Sequence, residues 1–276
     1  MTAEQVLAAR GSVLTREQRE FYVEHGYLVL PRFVDAAWLE RLRAITTEFL
    51  ERGRREADSG LYVFGPGHTP ERPRLKCLKL PDDRHPDFWA FATGPIADVA
   101  CDLVGPNVKF SHSILDFKWG ARTDEWKWHQ DIQYFPHTNY SPVTIGVYLE
   151  DTTVDDGALG VVPGSHDGPL YDLYDADGNW AGHLRDEDAA TIPLDEVTYL
   201  EGPAGTVTAH NCRTLHWSPP SAGRHARPFL ANIFSSCDAF AYQLHPDVSS
   251  HRGVVVRGVA SKWARHDPRP CLVPPR

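Results

Sequence analysis

One short segment carries residues that could bind a metal ion. Residues 126–131 read Trp-Lys-Trp-His-Gln-Asp, which places His129 and Asp131 two positions apart. On a β-strand, side chains two positions apart share a face, so this imidazole and this carboxylate could converge on one ion. Lys127 would share that face, whereas the two tryptophans would point the other way and pack between layers. A histidine–aspartate pair alone is weak evidence, because a hydrogen-bonded surface pair is its commoner explanation.

A second imidazole on a distant strand would complete a metal site. His216 lies in an apolar, strand-like context, and Arg227 follows it at the start of an apolar strand. Two histidines and one carboxylate form the facial triad of non-haem Fe(II) oxygenases, which leaves coordination positions open for the keto-acid end of 2-oxoglutarate and for O₂. The planar fork of an arginine suits the far carboxylate of that cosubstrate. His210 is the other nearby histidine, and we expect it to be structural because no arginine follows it at the same spacing.

At these residues the sequence resembles the phytanoyl-CoA dioxygenase family of Fe(II)/2-oxoglutarate-dependent oxygenases. Besides the interval from His216 to Arg227, four segments carry the resemblance: 21–30 (FYVEHGYLVL), 129–136 (HQDIQYFP), 155–159 (DDGAL) and 162–166 (VPGSH). It extends from about residue 15 to residue 235. The resemblance implies Fe(II) as cofactor, with 2-oxoglutarate and O₂ as cosubstrates.

The resemblance also implies which residues hold the iron. His129, Asp131 and His216 match the family's iron ligands, and all three serve as the expected catalytic centre. Arg227 matches the arginine that binds the far carboxylate of 2-oxoglutarate. If the preceding turn is shorter than it looks, Arg224 is the alternative. Because Asp131 retains the carboxylate ligand, halogenase chemistry is disfavoured.

Three further residues are expected to contact the cosubstrate. Thr144 matches a small polar residue that the family places against the same carboxylate, and Ser218 is expected to form a hydrogen bond nearby. Lys79 matches a lysine that some members bring to the cosubstrate, with Lys76 as its competitor. The sequence departs from the family at Gly146, where many members carry a tryptophan, and this departure concerns the substrate pocket rather than the iron site.

The elements that must position these residues are short strands that follow a helical start. The first predicted helix begins after a threonine cap, Thr15, and ends at Gly26. The next segment, 27–30, is predicted as a buried strand. Further helices are predicted at 34–55 and 88–104. Strands are predicted at 108–117, 125–132, 143–149, 158–162, 205–210, 214–218 and 228–235.

This order of elements predicts a mainly β fold with flanking helices, and the resemblance specifies a double-stranded β-helix, the cupin-like jelly roll. We expect one domain over residues 1–276. A helical N-terminal support would span 1–107 and the jelly-roll core 108–235, with an insert at 168–200; a C-terminal extension would span 236–276. Loops as long as the insert are often lids, and its aromatic residues Tyr171, Tyr174 and Trp180 could close over a substrate.

Other polar residues near the motifs have structural alternatives. His112 lies on a strand near the site and could contact substrate or pack in the core. His166 is expected to brace a turn, and Lys127 could be a solvated charge.

Composition excludes several classes of function. The 276-residue chain has a formal net charge of −9, which disfavours nucleic-acid binding and a polybasic membrane surface. Five scattered cysteines support neither a disulfide framework nor a cysteine zinc site. We find neither a signal peptide nor an apolar run long enough to span a membrane, and we expect a cytoplasmic protein with no membrane partner. The oligomeric state cannot be read from the sequence.

These observations together predict an oxidoreductase that acts on a small-molecule substrate. The expected reaction is hydroxylation of an unactivated C–H bond in a small organic metabolite, with release of succinate and CO₂. The same site could instead support desaturation, epimerisation or cyclisation of a secondary metabolite, or hydroxylation of an acyl-CoA. A metal-dependent jelly-roll isomerase and a sensor module are the alternatives outside the oxygenase class.

Overall fold

A computed structural model describes most of the chain, namely residues 2–55, 60–65, 67–120, 125–222, 226–243 and 247–267. The helices are α1 (Ala3–Ala8), α2 (Arg16–His25), α3 (Ala36–Gly53), α4 (Pro81–Arg84), α5 (Pro86–Thr93), α6 (Pro95–Val104) and α7 (Asp186–Ala189). The strands are β1 (Tyr27–Leu30), β2 (Tyr62–Phe64), β3 (Leu75–Lys79), β4 (Val108–Lys118), β5 (Trp126–His129), β6 (Val143–Tyr148), β7 (Gly160–Val161), β8 (Thr198–Tyr199), β9 (Val207–Asn211), β10 (His216–Ser218), β11 (Arg227–Ser236) and β12 (Val255–Arg257). Among the described residues, no helix is long and apolar enough to cross a membrane.

The strands form two antiparallel sheets. The major sheet has the order β1-β9-β6-β11-β4-β3-β2, with β12 paired to β4, and the minor sheet has the order β5-β10-β7-β8. The N-terminal 107 residues therefore contribute three strands to the major sheet as well as the predicted helices. The C-terminal extension contributes one strand, β12.

Local sequence signals explain where several elements begin and end. Thr15 caps α2 through a reciprocal capping box with Gln18, and the helix stops at Gly26, whose φ of 77° is left-handed. The predicted helix 88–104 is in fact two helices, because the chain breaks at Gly94 and restarts with Pro95 at the first position of α6. A proline lacks the N–H that a continuous helix needs at an interior position, but it is tolerated in a first turn.

Alternation along the central strands separates the core from the site. On β11, Leu230 and Phe234 pack with the helices in the main hydrophobic core. The alternate residues Phe229, Ala231 and Ile233 line a cavity on the opposite face of the same sheet. The helices thus fill one face of the major sheet and leave the other free to face the minor sheet.

The insert 168–200 covers the far side of the minor sheet. Leu173, Leu184 and Ile192 form a separate hydrophobic cluster with Trp128 and Leu215. The aromatic residues that we expected to act as a lid, Tyr171, Tyr174 and Trp180, are absent from the cavity lining among the described residues. The lid prediction is therefore not supported, and the insert instead buries the outward face of the strands that carry the histidines.

A buried lysine ties the two sheets together at one end of the cavity. Lys118 is fully buried at the end of β4, and its ammonium donates hydrogen bonds to the carbonyls of Ser218 (2.7 Å) and Pro219 (2.5 Å). A side chain at Gly157 would collide with the Lys118 stem and the Pro219 carbonyl, at 2.6 and 2.8 Å. Only glycine fits there, since Gly157 also has a φ of +80°.

Replacing Lys118 by methionine should destabilise the protein strongly. The apolar stem would be retained, but two buried carbonyls would lose their charged donor, and we expect the free energy of unfolding to fall by about 2–4 kcal/mol. Equilibrium urea denaturation measures this, with Lys127→Met at an exposed position as the control. An equal, small effect of both substitutions would show that Lys118 does not hold the sheets together.

Candidate active site

Three side chains meet at the centre of the cavity. Asp131 Oδ1 lies 3.7 Å from His129 Nε2 and 3.5 Å from His216 Nε2. The three candidate ligand atoms all lie within 4.8 Å of one another. All three side chains are largely buried, so the arrangement is a preformed pocket rather than a surface cluster. Two imidazole nitrogens and one carboxylate oxygen at this spacing are a donor set that Fe(II) accepts.

Cross-strand pairing brings the two histidines together. His129 on β5 is the direct antiparallel partner of His216 on β10. Asp131 reaches them from a 3₁₀ turn, Asp131–Gln133, that follows β5. The predicted strand 125–132 therefore ends early, and the triad is closed by this turn rather than by simple alternation along a strand.

A bulge in β5 also changes which tryptophan faces the site. The register shifts between His216 and Ser218, so that Trp126 pairs with Ser218 and lines the cavity. Trp128 remains outside, stacked on Trp217 at 5.2 Å between ring centroids. The prediction that both tryptophans pack between layers was thus wrong for Trp126, because a bulge inserts one residue and reverses the alternation.

Backbone carbonyls set the orientation of both histidines. His129 Nδ1 lies 2.7 Å from the Lys127 carbonyl and His216 Nδ1 lies 2.9 Å from the Thr214 carbonyl. A carbonyl only accepts, so each Nδ1 carries the proton and each Nε2 presents its lone pair to the site. Burial lowers the pKa of both imidazoles below the usual range. Both histidines are therefore neutral at pH 7, the form in which a histidine binds a metal.

Asp131 is held through one of its two oxygens. Thr144 Oγ1 donates to Asp131 Oδ2 at 2.6 Å, and His210 Nε2 lies 3.2 Å from the same oxygen. Burial alone would raise the pKa of Asp131, but the imidazoles of His216 and His210 outweigh it and keep that pKa well below its usual range. The carboxylate is therefore ionised, with Oδ1 left for a metal.

The structure gives both Thr144 and His210 a contact with Asp131. Thr144 donates to Asp131 Oδ2 at 2.6 Å, so its observed contact is with a candidate metal ligand. Its contact with the carboxylate of 2-oxoglutarate stays a prediction. His210 is structural, as expected, but what it supports is Asp131. Its pairing with Thr144 across β9 and β6, together with its inward face, is the signal that the sequence argument lacked.

Arg227 closes the other end of the cavity. Its guanidinium is buried, and Nη2 donates to the Gly157 carbonyl at 2.7 Å and lies 3.3 Å from Ser218 Oγ. Its buried Nε has no hydrogen-bond partner among the described residues. A buried cation with an unused donor at the wall of a cavity fits an incoming carboxylate. Ser218 lies beside Arg227, as expected, and donates to the Gly157 carbonyl at 2.7 Å.

The structure does not bring Lys79 into the site. Its Nζ binds Asp247 at 3.1 Å, and the described cavity lining does not include it. Its competitor Lys76 lies closer, with Nζ 4.2 Å from the ring centroid of Trp126. The contact of Lys79 with the cosubstrate therefore stays a prediction, and in this structure the Lys79 side chain is paired with Asp247 instead.

The structure explains why residue 146 is a glycine. A Cβ at this position would lie 1.9 Å from the Phe229 ring, which occupies the space above the glycine. The Phe229 ring from β11 therefore occupies the part of the cavity that a side chain on β6 at this position would otherwise fill.

The remaining polar residues fall into two groups. His112 lines the cavity, with its ring edge against Phe135 and its Nδ1 3.0 Å from Ser111 Oγ. His166 braces a turn, as expected, with Nε2 3.0 Å from the Val23 carbonyl, and Lys127 is exposed. Arg224, the alternative to Arg227, lies outside the described residues.

Comparison with known proteins gives the family. The phytanoyl-CoA dioxygenase (PhyH) family model matches residues 22–229. The chain belongs to the phytanoyl-CoA dioxygenase family. It is 28% identical to the probable alpha-ketoglutarate-dependent hypophosphite dioxygenase of Stutzerimonas stutzeri, over 94% of this chain and 91% of that protein.

Comparison with solved structures shows the fold. The non-heme alpha-ketoglutarate-dependent carbocyclase SnoK from nogalamycin biosynthesis superposes with a TM-score of 0.66 at 25% identity, covering 87% of this chain and 88% of that one. Apo EctD from S. alaskensis gives a TM-score of 0.71 at 19% identity, covering 92% of this chain and 90% of that one. The jelly-roll prediction is confirmed.

Family membership also confirms the predicted class of enzyme. The chain is a non-haem iron, 2-oxoglutarate-dependent dioxygenase, an oxidoreductase whose cofactor is Fe(II) and whose cosubstrates are 2-oxoglutarate and O₂. The isomerase alternative loses its support because an isomerase has no use for the buried arginine. The sensor alternative loses its support because the metal triad and the arginine are both intact.

Replacing Thr144 by valine should weaken metal binding without removing a ligand. Asp131 would lose the donor that fixes its outer oxygen, and we expect the Fe(II) affinity to fall about 10–100-fold. An anaerobic competition titration against a chelator measures this. Thr208→Val is the matched control, since the buried Thr208 hydroxyl has no partner among the described residues. Equal affinities in both variants would refute the role assigned to Thr144.

Proposed function

We propose that this dioxygenase hydroxylates a C–H bond of a small organic metabolite, with His129, Asp131 and His216 as the iron ligands and Arg227 as the cosubstrate anchor. The observation that carries the proposal is that one cavity contains both the ligand triad and the buried arginine. Substrate, 2-oxoglutarate and O₂ would give hydroxylated substrate, succinate and CO₂. When bound, Fe(II) with 2-oxoglutarate supplies the oxidising power for this reaction.

The chain's own residues bind and orient the reactants. Arg227, with Ser218 beside it, would hold the far carboxylate of 2-oxoglutarate at the closed end of the cavity, where Lys118 fixes the local backbone. Thr144 and His210 keep Asp131 in one orientation, so that the ligand set is preformed. The apolar walls around Phe229, among others, exclude water from the reacting carbon.

The size of the cavity favours a small substrate. Its volume is about 260 Å³, below the range of about 300–1,000 Å³ that drug-sized ligands occupy, and 2-oxoglutarate must share it. This supports a small metabolite over an acyl-CoA whose chain would lie fully inside. Desaturation, epimerisation and cyclisation would use the same ligands and are distinguished by product analysis.

The finer predictions on organisation and location remain proposals. A single domain is supported by the pairing of β1 and β12, from opposite ends of the chain, within one sheet. A cytoplasmic location is supported by the cysteine pattern, since the four described cysteines form no disulfide with one another. We propose a small-molecule partner, and neither nucleic acid nor membrane.

Two substitutions should separate metal binding from cosubstrate binding. Asp131→Ala should abolish succinate release at every 2-oxoglutarate concentration, because a ligand is lost. Arg227→Ala should raise the KM for 2-oxoglutarate about 10²–10³-fold, the loss expected when one partner of a buried charge pair is removed, and leave the metal affinity unchanged. Succinate is measured while 2-oxoglutarate is varied.

Two controls complete this experiment. Arg227→Lys keeps the charge but not the planar fork and should fall between the wild type and Arg227→Ala. Arg16→Ala, at an exposed position, should behave as the wild type. Unchanged succinate formation after both Asp131→Ala and Arg227→Ala would overturn the proposed function.

A further inference from the structure

One carboxyl group in the cavity has no role in the proposed function. Asp116 lies on the inner face of β4 and lines the same cavity as the metal triad. It forms no ion pair with any described residue, and its buried Oδ1 has no hydrogen-bond partner there. Its cross-strand neighbours are Cys77 on β3 and Phe229 on β11, neither of which offers a charge.

Several other polar groups of the lining already have hydrogen-bond partners. Thr144 donates to Asp131, Ser218 donates to Gly157, and His112 Nδ1 lies 3.0 Å from Ser111 Oγ. Trp217 Nε1 and His210 Nδ1 also have no partner among the described residues, but neither is an anion. Outside the metal ligands, Asp116 is therefore the carboxylate of the described lining with an unused acceptor oxygen.

Asp116 is charged when the enzyme works at neutral pH. Burial raises its pKa to about 6. The positive charge of Arg227 opposes a larger rise, as do a hydrogen bond with Cys77 and the charges of Lys76 and Lys118. At pH 7 the carboxylate is mostly ionised. The carboxylate of 2-oxoglutarate would neutralise Arg227, whose charge opposes the rise most, and so leave the buried Asp116 carboxylate less compensated.

We propose that Asp116 binds a positively charged group of the substrate, so that the enzyme acts on a small organic cation such as an amine. This inference rests on the proposed function and names the substrate class of the same site. The aromatic walls support it, because Trp126, Tyr134 and Phe229 line the cavity and ring faces attract cations. The net charge of −9 also draws cations rather than anions to the protein.

The position of Asp116 limits the length of such a substrate. His112 pairs with Ile233 at the level of Thr144, which contacts the metal ligand, and Asp116 follows four residues later on β4, or about 13 Å along the strand. A molecule held at Asp116 would therefore present to the metal a carbon several bonds away from its ammonium group. An inorganic anion such as hypophosphite, the substrate in the name of the Stutzerimonas stutzeri relative, would instead meet a like charge.

Binding of matched probes tests the proposal directly. The probes are butylamine, 1-butanol and butanoate, which share a carbon chain but differ in charge, together with hypophosphite. Each is titrated calorimetrically, without O₂, into protein loaded with Fe(II) and 2-oxoglutarate. We expect butylamine to bind at least ten-fold more tightly than the other three. Equal or tighter binding of the neutral or anionic probes would overturn the proposal.

Asp116→Asn removes the charge and keeps the shape. The variant should lose the preference for butylamine, retain the wild-type affinity for 2-oxoglutarate and unfold at the same or a higher urea concentration, since a buried unpaired charge has been removed. Asp116→Glu should retain the preference, and Asp195→Asn, at an exposed position, should bind as the wild type. A lowered 2-oxoglutarate affinity with an intact butylamine preference would instead assign Asp116 to positioning Arg227 and overturn the proposal.

If the proposed function itself is wrong, the same experiments give a different result. In that case 2-oxoglutarate would not bind to the iron-loaded wild type, whereas the ranking of the four probes can still be measured with metal-free protein. The ranking of the probes thus decides the substrate class, and the cosubstrate titration decides the reaction.

Discussion

The carboxylate of Asp131 must offer one oxygen to a metal ion while its other oxygen accepts hydrogen bonds from the protein. The rest of the site depends on this division between the two oxygens. Thr144 and His210, both from the major sheet, engage Oδ2, while the histidines of the minor sheet face Oδ1. The division works only if the two sheets lie face to face at a fixed distance. The buried bonds of Lys118 to the β10 end help to fix that distance.

The two ends of the cavity have opposite electrostatic character. The metal end holds one ionised carboxylate between neutral imidazoles, which suits a divalent cation. The closed end holds a buried guanidinium with an unused donor, which suits a dicarboxylate that bridges the two ends. Asp116 adds a negative charge to the wall of the cavity. Burying this charge lowers the stability of the fold, and proteins tolerate such a loss of stability at functional sites.

Much of this architecture could be predicted from the sequence, and the exceptions have local causes. The caps at Thr15 and Gly26, strand β1 and the triad itself follow from residue type and spacing. The inward turn of Trp126 could not be predicted, because a single-residue bulge leaves no trace in the hydrophobic pattern. The partners of Thr144 and Lys79 depend on strand register and on an ion pair with a residue distant in sequence, which spacing alone does not determine.

The most direct test of the account is an anaerobic titration of the metal-free protein, first with Fe(II) and then with 2-oxoglutarate, followed by visible absorption. We predict a weak charge-transfer band from 2-oxoglutarate chelated to the bound iron, with one equivalent of each component and no band in Asp131→Ala. Iron binding without a band would contradict the assignment of the cavity as a shared site for metal and cosubstrate.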